Sequence, residues 1–434
     1  MRLLERIRHT SFWAIDFLKK SPIKKHVTNI ATINKNPFTE KNKKQRAQYL
    51  SNILNHATTT TSYYNNSISN TLHDFPVIDK NIIIKNFEAF TSERFKNVKL
   101  IEVSTSGSTG LPFKVLQDKN KKNRNTADTL YFSEKAGFKI GYKLLYLRHW
   151  STTYSKNKWI GWIQNILKIE VLDLNDKYIN KLTKVLRKDK SNKGWLGFAS
   201  AFEELCNSLE RQNKEPLKAN VNSIIAISET LNDYTKQRMS YYFDAPIVSR
   251  YSNMENGIIA QQEKNDSVFK INWASYYVEI LDLKKDTPVK RGGLGRIVVT
   301  DLFNFGMPIL RYDTGDLGVM ELRGDTYCFT KIEGRKTDII LNTNGEIVSA
   351  FVWSSLNKYK NIRQYQLIQE EEKKYTLNLN TDTKFTKTNG VIAECKNVLG
   401  NDAEITVNYV DEIPLLASGK RKTTINKYIL IKKS

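Results

Sequence analysis

The chain has 434 residues, 40% of them hydrophobic and 11% aromatic, which is enough for a large domain plus a smaller one and too much for global disorder. Lys and Arg outnumber Asp and Glu by 68 to 45, a net charge of +23, but the lysines are scattered. No recognition helix, zinc finger or aromatic RNA-binding box accompanies them, so nucleic acid is not an expected partner. Cys206, Cys328 and Cys395 lie far apart without a C-x-x-C pair, and the five histidines show no metal spacing, as in a reducing compartment.

Residues 1–20 read as a basic amphipathic helix. Leu3, Leu4, Ile7, Trp13, Phe17 and Leu18 supply apolar surface among Arg2, Arg6, Arg8, Lys19 and Lys20. Packing on its own domain is the expected placement, with a membrane face as the alternative. No secretory signal or apolar run of ~20 residues is apparent. Helices are expected over 39–57, with Thr39 as N-cap, and over 81–90, 119–137 and 176–188. A buried strand is expected over 143–148. The segment starting at Trp195 begins a further unit, with a helix through Leu209, an apolar run over 223–228, a helix over 231–243 and a strand over 246–251. Strands alternating with helices imply an α/β sheet, with ligands at the carboxyl ends of strands, where Ser104, Ser228 and Tyr251 fall.

From 268 to 333 the pattern changes to short strands and turns, with strands over 276–283 and 295–300. Arg311-Tyr-Asp-Thr-Gly-Asp316 reads as a polar turn. Residues 335–434 read as a separate small α/β unit, with strands over 338–341, 362–369, 374–379 and 403–410 and helices over 349–360 and 385–399. The domain division is therefore 1–334 and 335–434.

One stretch stands out. Ser104-Thr-Ser-Gly-Ser-Thr-Gly110 lies between strand candidates over 100–103 and 113–116. Gly107 and Gly110 permit close backbone approach, and Ser104, Thr105, Ser106, Ser108 and Thr109 add hydroxyl donors. Such a loop suits a nucleotide phosphate tail, or is a polar surface turn. It is not a Walker A loop, because G-x-x-x-x-G-K-[ST] is absent.

In order along the chain come this loop, Ser228-Glu229-Thr230, Tyr251-Ser-Asn-Met-Glu255, Tyr312-Asp-Thr-Gly-Asp316, Gly334-Arg335 and Ser418-Gly-Lys420. The series resembles that of adenylate-forming enzymes, most of all their phenylacetate–CoA ligase-like branch and its capsule and O-antigen members. Phe75-Pro-Val-Ile-Asp-Lys80 is also similar to that branch. The resemblance covers roughly residues 40–430 and implies a large N-terminal multi-sheet α/β domain with a small mobile C-terminal α/β domain.

It further implies attack of a carboxylate on the α-phosphorus of ATP, giving an acyl-adenylate and pyrophosphate, a step that needs positioning and charge neutralisation. The loop from Ser104 to Gly110 would hold the β- and γ-phosphates. Glu255 corresponds to the magnesium ligand. Tyr251, within the Tyr251–Ser252 strand end, would stack on adenine, and Ser228 with Glu229 would line that pocket. Asp316 would accept both ribose hydroxyls, and Arg335 would open the hinge near the ribose and phosphates. Lys420 would bridge the carboxylate and the α-phosphate. The sequence departs from the pattern at Leu111, where many members have lysine and for which Lys114 is the candidate substitute, at Met254, and at Lys336-Thr337 after the hinge.

Trp150, Phe198 and Tyr131 are candidates for the wall of an acid pocket. The expected partners are ATP, Mg2+, a small carboxylic acid, and coenzyme A or an amine-bearing glycan or carrier as acceptor. The expected location is the cytoplasm, or the inner face of the membrane through residues 1–20. The competing reading is a catalytically weak nucleotide-binding or membrane-peripheral scaffold of the same fold.

Overall fold

The computed structural model describes residues 2–65, 71–104, 113–150, 161, 164–335, 339–348, 356, 359, 361–381, 385–416 and 419–428. The N-terminal third is helical. Helix Leu3–Leu18 is followed by Pro22–Lys35 and by Glu40–Thr60, which Thr39 caps through Asn42 N (3.4 Å). A two-stranded ribbon comes next: β1 (Ile101–Ser104) runs antiparallel to β2 (Lys114–Gln117), with Ser104 opposite Lys114. Helix Lys119–Lys135 then begins on Asp118, which accepts from Lys121 N (3.0 Å), leaving one fewer orphan amide at its start.

The main sheet has eleven strands among the described residues. Its parallel half runs β4-β3-β5-β6-β7, formed by β3 (Lys143–Arg148), β4 (Ile166–Glu170), β5 (Lys193–Phe198), β6 (Val221–Ile227) and β7 (Ile247–Asn253). Helices Asp176–Lys188, Ala199–Arg211 and Asp233–Phe243 make crossovers between these strands. Trp195, Phe202, Leu205, Ile224 and Phe243 fill the core they share. The antiparallel half continues β7-β8-β9-β13-β12-β11-β10, through β8 (Gly257–Gln262), β9 (Phe269–Ile271), β10 (Tyr276–Leu281), β11 (Leu294–Asp301), β12 (Tyr312–Arg323) and β13 (Thr326–Arg335). The chain leaves β3 toward β4 on one side and β5 toward β6 on the other. A topological switch point therefore lies between the carboxyl ends of β3 and β5, where open α/β sheets take their ligands.

After β13, a hairpin of β14 (Ile340–Leu341) and β15 (Ile347–Val348) precedes a four-stranded sheet. That sheet is ordered β18-β17-β16-β19, from β16 (Ile362–Gln369), β17 (Lys374–Thr381), β18 (Glu404–Tyr409) and β19 (Thr424–Asn426). Helix Thr388–Leu399 packs on it through Val391, Cys395 and Leu399 against Leu367, Leu377 and Leu379.

Several expectations change. Tyr312-Asp-Thr-Gly-Asp316 is not a turn but the start of β12: Asp313 N donates to Ile78 O (2.8 Å), and β11 and β13 pair on either side. Helix 81–90 is broken at Asn86 into Lys80–Lys85 and Phe87–Phe90. Ser104 ends the separate ribbon rather than a strand of the parallel sheet. Helix Leu3–Leu18 leaves most of its apolar residues off the domain, with only Phe12 and Trp13 half-buried among its large ones. Glu5 and Asp16 face inward, and Leu3, Leu4, Ile7, Phe17 and Leu18 are exposed. The expected helix over 349–360 lies almost wholly outside the described residues, as do Thr105, Ser106, Gly107, Ser108, Thr109 and Gly110.

Candidate active site

The early motif sets the frame. Asp79 caps the helix at Lys80–Lys85, accepting from Ile82 N (2.9 Å), and Ile78 N donates to Arg311 O (3.1 Å). Arg311 is buried with a left-handed φ of +47°. Its guanidinium pairs with Glu279 (3.1 Å) and donates to Phe75 O (2.8 Å). A residue so thoroughly bonded fixes the backbone of the next few positions, and those carry the site.

Tyr312 Oη donates to Glu255 Oε1 (2.8 Å), and its ring stacks on Phe113 (centroids 6.2 Å apart, planes 20° apart). Gln117 Nε2, at the end of β2, donates to Glu255 O (3.1 Å). Both ties bring the ribbon that carries the hydroxyl loop to the turn between β7 and β8 that carries Glu255. Burial pushes the Glu255 pKa up, while Tyr312 and Arg335 pull it down. Glu255 is a buried carboxylate with no ion pair among the described residues. Magnesium fits such a position, because it is commonly held by one or two carboxylates plus substrate phosphates and water. Among the described residues no group of three His, Cys, Asp or Glu forms a fuller metal cage.

Tyr251 Oη donates to Asp316 Oδ2 (2.8 Å) and lies 3.1 Å from Thr314 Oγ1, and its ring edge meets Phe329 (centroids 6.1 Å apart). Burial raises the Asp316 pKa to about 6, opposed by the Tyr251 hydrogen bond and by Arg335. Arg335 stands directly across the β12–β13 ladder from Asp316. Ser252 continues β7, half-buried, and Met254 is exposed.

Ser228 directly follows β6, exposed, with φ +71°. A serine in that region is strained, and such strain gathers at functional sites. The neighbouring Glu229 accepts from Ser200 N (2.9 Å) in the first turn of helix Ala199–Arg211. Burial raises its pKa, partly offset by that bond and by Lys420.

Lys420 arrives from the C-terminal unit. Leu416 N donates to Lys420 O (2.8 Å) and Gly419 N to Leu416 O (2.8 Å), closing a tight turn. Gly419 has φ +77°, and a Cβ there would lie 2.6 Å from His149 Cβ and 2.9 Å from Val171 Cγ2. Only glycine lets the turn seat this closely on the residues that follow β3 and β4. Lys420 Nζ lies 5.6 Å from the centre of the Phe198 ring, at the end of β5. Burial lowers its pKa, Glu229 and Asp316 raise it, and Arg335 and Arg148 lower it. Lys420, Arg335, Asp316, Glu255 and Glu229 thus form one electrostatic cluster assembled from five distant stretches of chain.

Ser104 ends β1, and Ser418 lies outside the described residues. Lys114 is held by Glu102 across the ribbon (3.1 Å), so the candidate substitute lysine is already paired. Of the candidate acid-pocket residues, Phe198 stands at the switch point at the end of β5, whereas Trp150, just past β3, turns to β4, its Nε1 donating to Ile169 O (3.2 Å). Tyr131 packs with Ile23, Val27 and Ile30 in a different cluster. Tyr312 and Thr314 were missed as site residues although both lie inside a quoted motif. His149, which the sequence offers as a contact for a polar substituent or as a satisfied histidine, is bonded to Glu170 (3.0 Å) under the Gly419 turn, and Glu170 itself carried no local sequence signal.

Residues 340–427 match the family described as the CapK C-terminal domain. The chain is 23% identical over 376 residues to Protein CapK of Staphylococcus aureus, covering 82% of this chain and 80% of that protein. Among solved structures it is similar to 2-hydroxyisobutyryl-CoA ligase in the postadenylation state in complex with 2-HIB-AMP, with TM-score 0.71, 14% identity and 93% of each chain covered. Against the same ligase with 2-HIB-AMP and CoA in the thioesterification state, the TM-score is 0.58, at 16% identity and 92% coverage of each chain. At these identities the likeness is one of fold. The chain has the fold of the adenylate-forming ligases, and the match to the CapK C-terminal domain is confined to residues 340–427.

Proposed function

We propose that this protein activates a small carboxylic acid with ATP, releasing pyrophosphate and forming an acyl-adenylate, and then passes the acyl group to coenzyme A or to an amine. The observation that carries the reading is the arrival of Lys420 at the switch point, within electrostatic reach of Glu229, Asp316 and Arg335. A point charge there is placed to stabilise negative charge as it develops between the acid and the α-phosphate. Asp316, steadied by Tyr251, would accept the two ribose hydroxyls. Arg335 would neutralise phosphate charge beside it. Ser228 and Glu229 would border the base, with Tyr251 and Ser252 on the β7 side, and Ser104 would open the loop that wraps the phosphate tail through residues 105–110. Magnesium, when bound through Glu255, would supply charge neutralisation at the phosphates.

The greater likeness to the postadenylation arrangement than to the thioesterification arrangement fits a C-terminal unit closed in the adenylating pose. We read residues 1–334 as the ATP- and acid-binding domain and 335–434 as the lid that turns about Arg335. The CapK likeness favours the phenylacetate–CoA ligase-like branch and a role in capsule or O-antigen polysaccharide synthesis, carried out in the cytoplasm where ATP and coenzyme A are found.

The test is acid-dependent exchange of labelled pyrophosphate into ATP, over aromatic, aliphatic and amino acids. Exchange with one class identifies the acid. Silence across all of them, with ATP binding intact, favours the scaffold reading instead.

A further inference from the structure

We propose that helix Leu3–Leu18 anchors the protein on an anionic lipid bilayer. At ~100° of rotation per residue, Leu3, Leu4, Ile7, Ile15 and Leu18 share one face, and Phe17 sits at its border. This face points into solvent: Leu3 is 75% exposed, Phe17 75% and Leu18 81%. The opposite face holds the helix in place by polar means. Glu5, 2% exposed, accepts from Asn192 N (2.8 Å) and Asn192 Nδ2 (2.9 Å). Asp16, 3% exposed, accepts from Ile23 N (3.0 Å) and Lys24 N (3.0 Å) at the start of the next helix. A helix on a soluble domain ordinarily turns its apolar stripe to the core. Here the carboxylates are tucked in and the hydrocarbon is left out, and a contiguous exposed patch of this kind marks an interaction surface.

Charge selects the occupant. Glu5 and Asp16 are the only acidic residues in the first 25 positions, and both are buried. The exposed rim carries Arg2, Arg6, Lys19, Lys20, Lys24 and Lys25, and among the described residues no acidic side chain pairs with them. Two copies meeting through this face would bring two positive rims together. An anionic headgroup layer complements the rim while its acyl region receives the apolar stripe. The placement also leaves the chemistry accessible. Glu5 packs at Gly141 and Asn192, beside the amino ends of β3 and β5, whereas Lys420 docks at their carboxyl ends. A bilayer under the helix would leave the lid free. Among the described residues no helix is long and apolar enough to cross a membrane, so the contact is interfacial.

The experiment is flotation of the full chain with vesicles of phosphatidylcholine alone or of phosphatidylcholine mixed with phosphatidylglycerol. The double variant Ile7→Gln/Leu18→Gln, whose exposed positions leave the Glu5 and Asp16 contacts intact, is run in parallel, with circular dichroism as the check on folding. The wild type should float with the mixed vesicles, and ~10-fold less with neutral vesicles or in high salt. The folded variant should lose flotation and keep pyrophosphate exchange. The proposal is overturned if the wild type stays unbound, or if the variant floats equally well. It is also overturned if sedimentation without vesicles reveals a dimer that the variant abolishes, which would make a second copy the occupant.

Discussion

Replacing Lys420 by Ala should slow adenylation ~100- to 1000-fold while leaving ATP affinity within a few-fold. Lys420 Nζ stands over the Phe198 ring at 5.6 Å, where Glu229 and Asp316 favour its charge and Arg335 and Arg148 oppose it. A unit charge ~4 Å from developing negative charge, at an effective dielectric of ~20, is worth roughly 4 kcal/mol. The side chain is only half-buried, so solvent screens part of this. Loss of a preorganised stabiliser typically costs roughly 3–4 kcal/mol, which is ~100- to 1000-fold in rate. The loss should fall on kcat rather than KM, because the interaction strengthens only in the transition state. Burial lowers the Lys420 pKa, and on the proposed mechanism the charged form is the one that acts. Adenylation should therefore fall as pH rises through a value below the ordinary lysine range, and Lys420→Ala should remove that limb. The assay is pyrophosphate exchange for the first half-reaction and acyl transfer from supplied acyl-adenylate for the second. Exchange near the wild-type rate would refute the placement of the catalytic lysine.

Asp316→Asn should weaken nucleotide binding and raise thermal stability at neutral pH. The folded Asp316 pKa is raised to about 6, so the folded state binds this proton more tightly than the unfolded chain. Its cost to stability is absent below the unfolded pKa and fully present above ~6. Melting curves that show no gain for the variant above pH ~6 would contradict this. Nucleotide affinity of the wild type should fall as pH drops through the same range, measured by titration calorimetry. Glu255→Gln should lose magnesium-dependent exchange by ~100-fold or more while binding metal-free ATP as before; exchange that is still magnesium-dependent at the wild-type rate would move the metal elsewhere. Gly419→Ala places a methyl 2.6 Å from His149 Cβ at φ +77°, at a backbone cost of roughly 1–2 kcal/mol. It should slow exchange ~10-fold or more and spare transfer from supplied acyl-adenylate. Equal slowing of both steps would mean that the turn supports more than the adenylating pose.

In the parallel half, β3, β6 and β7 are legible as apolar runs over 143–148, 223–228 and 246–251 between helical stretches, whereas β4 goes unread. In the antiparallel half, the runs over 276–283 and 295–300 read as strands and are β10 and β11, whereas β8, β9, β12 and β13 go unread. Tyr312-Asp-Thr-Gly-Asp316 has turn composition, and it becomes strand because Ile78 pairs with it from residues far earlier in the chain. Helix Pro22–Lys35 went unread although Ile23, Val27, Ile30 and Ile33 mark its buried side. The outward face of the first helix could not be read from apolar content alone. It depends on which backbone amides Glu5 and Asp16 meet. At the candidate site, the ordered motifs singled out Glu255, Asp316, Arg335 and Lys420, which the fold brings within electrostatic reach of one another. The residues that hold them, Arg311, Tyr312 and Thr314, became visible only through their contacts.

The central claim is that a carboxylate oxygen bonds to the α-phosphorus of ATP. With the acid identified by exchange and labelled with oxygen-18 in its carboxylate, the complete reaction should deliver one labelled oxygen into AMP, read by mass spectrometry, and none into pyrophosphate. Unlabelled AMP, or ADP and labelled inorganic phosphate in place of AMP and pyrophosphate, would contradict it.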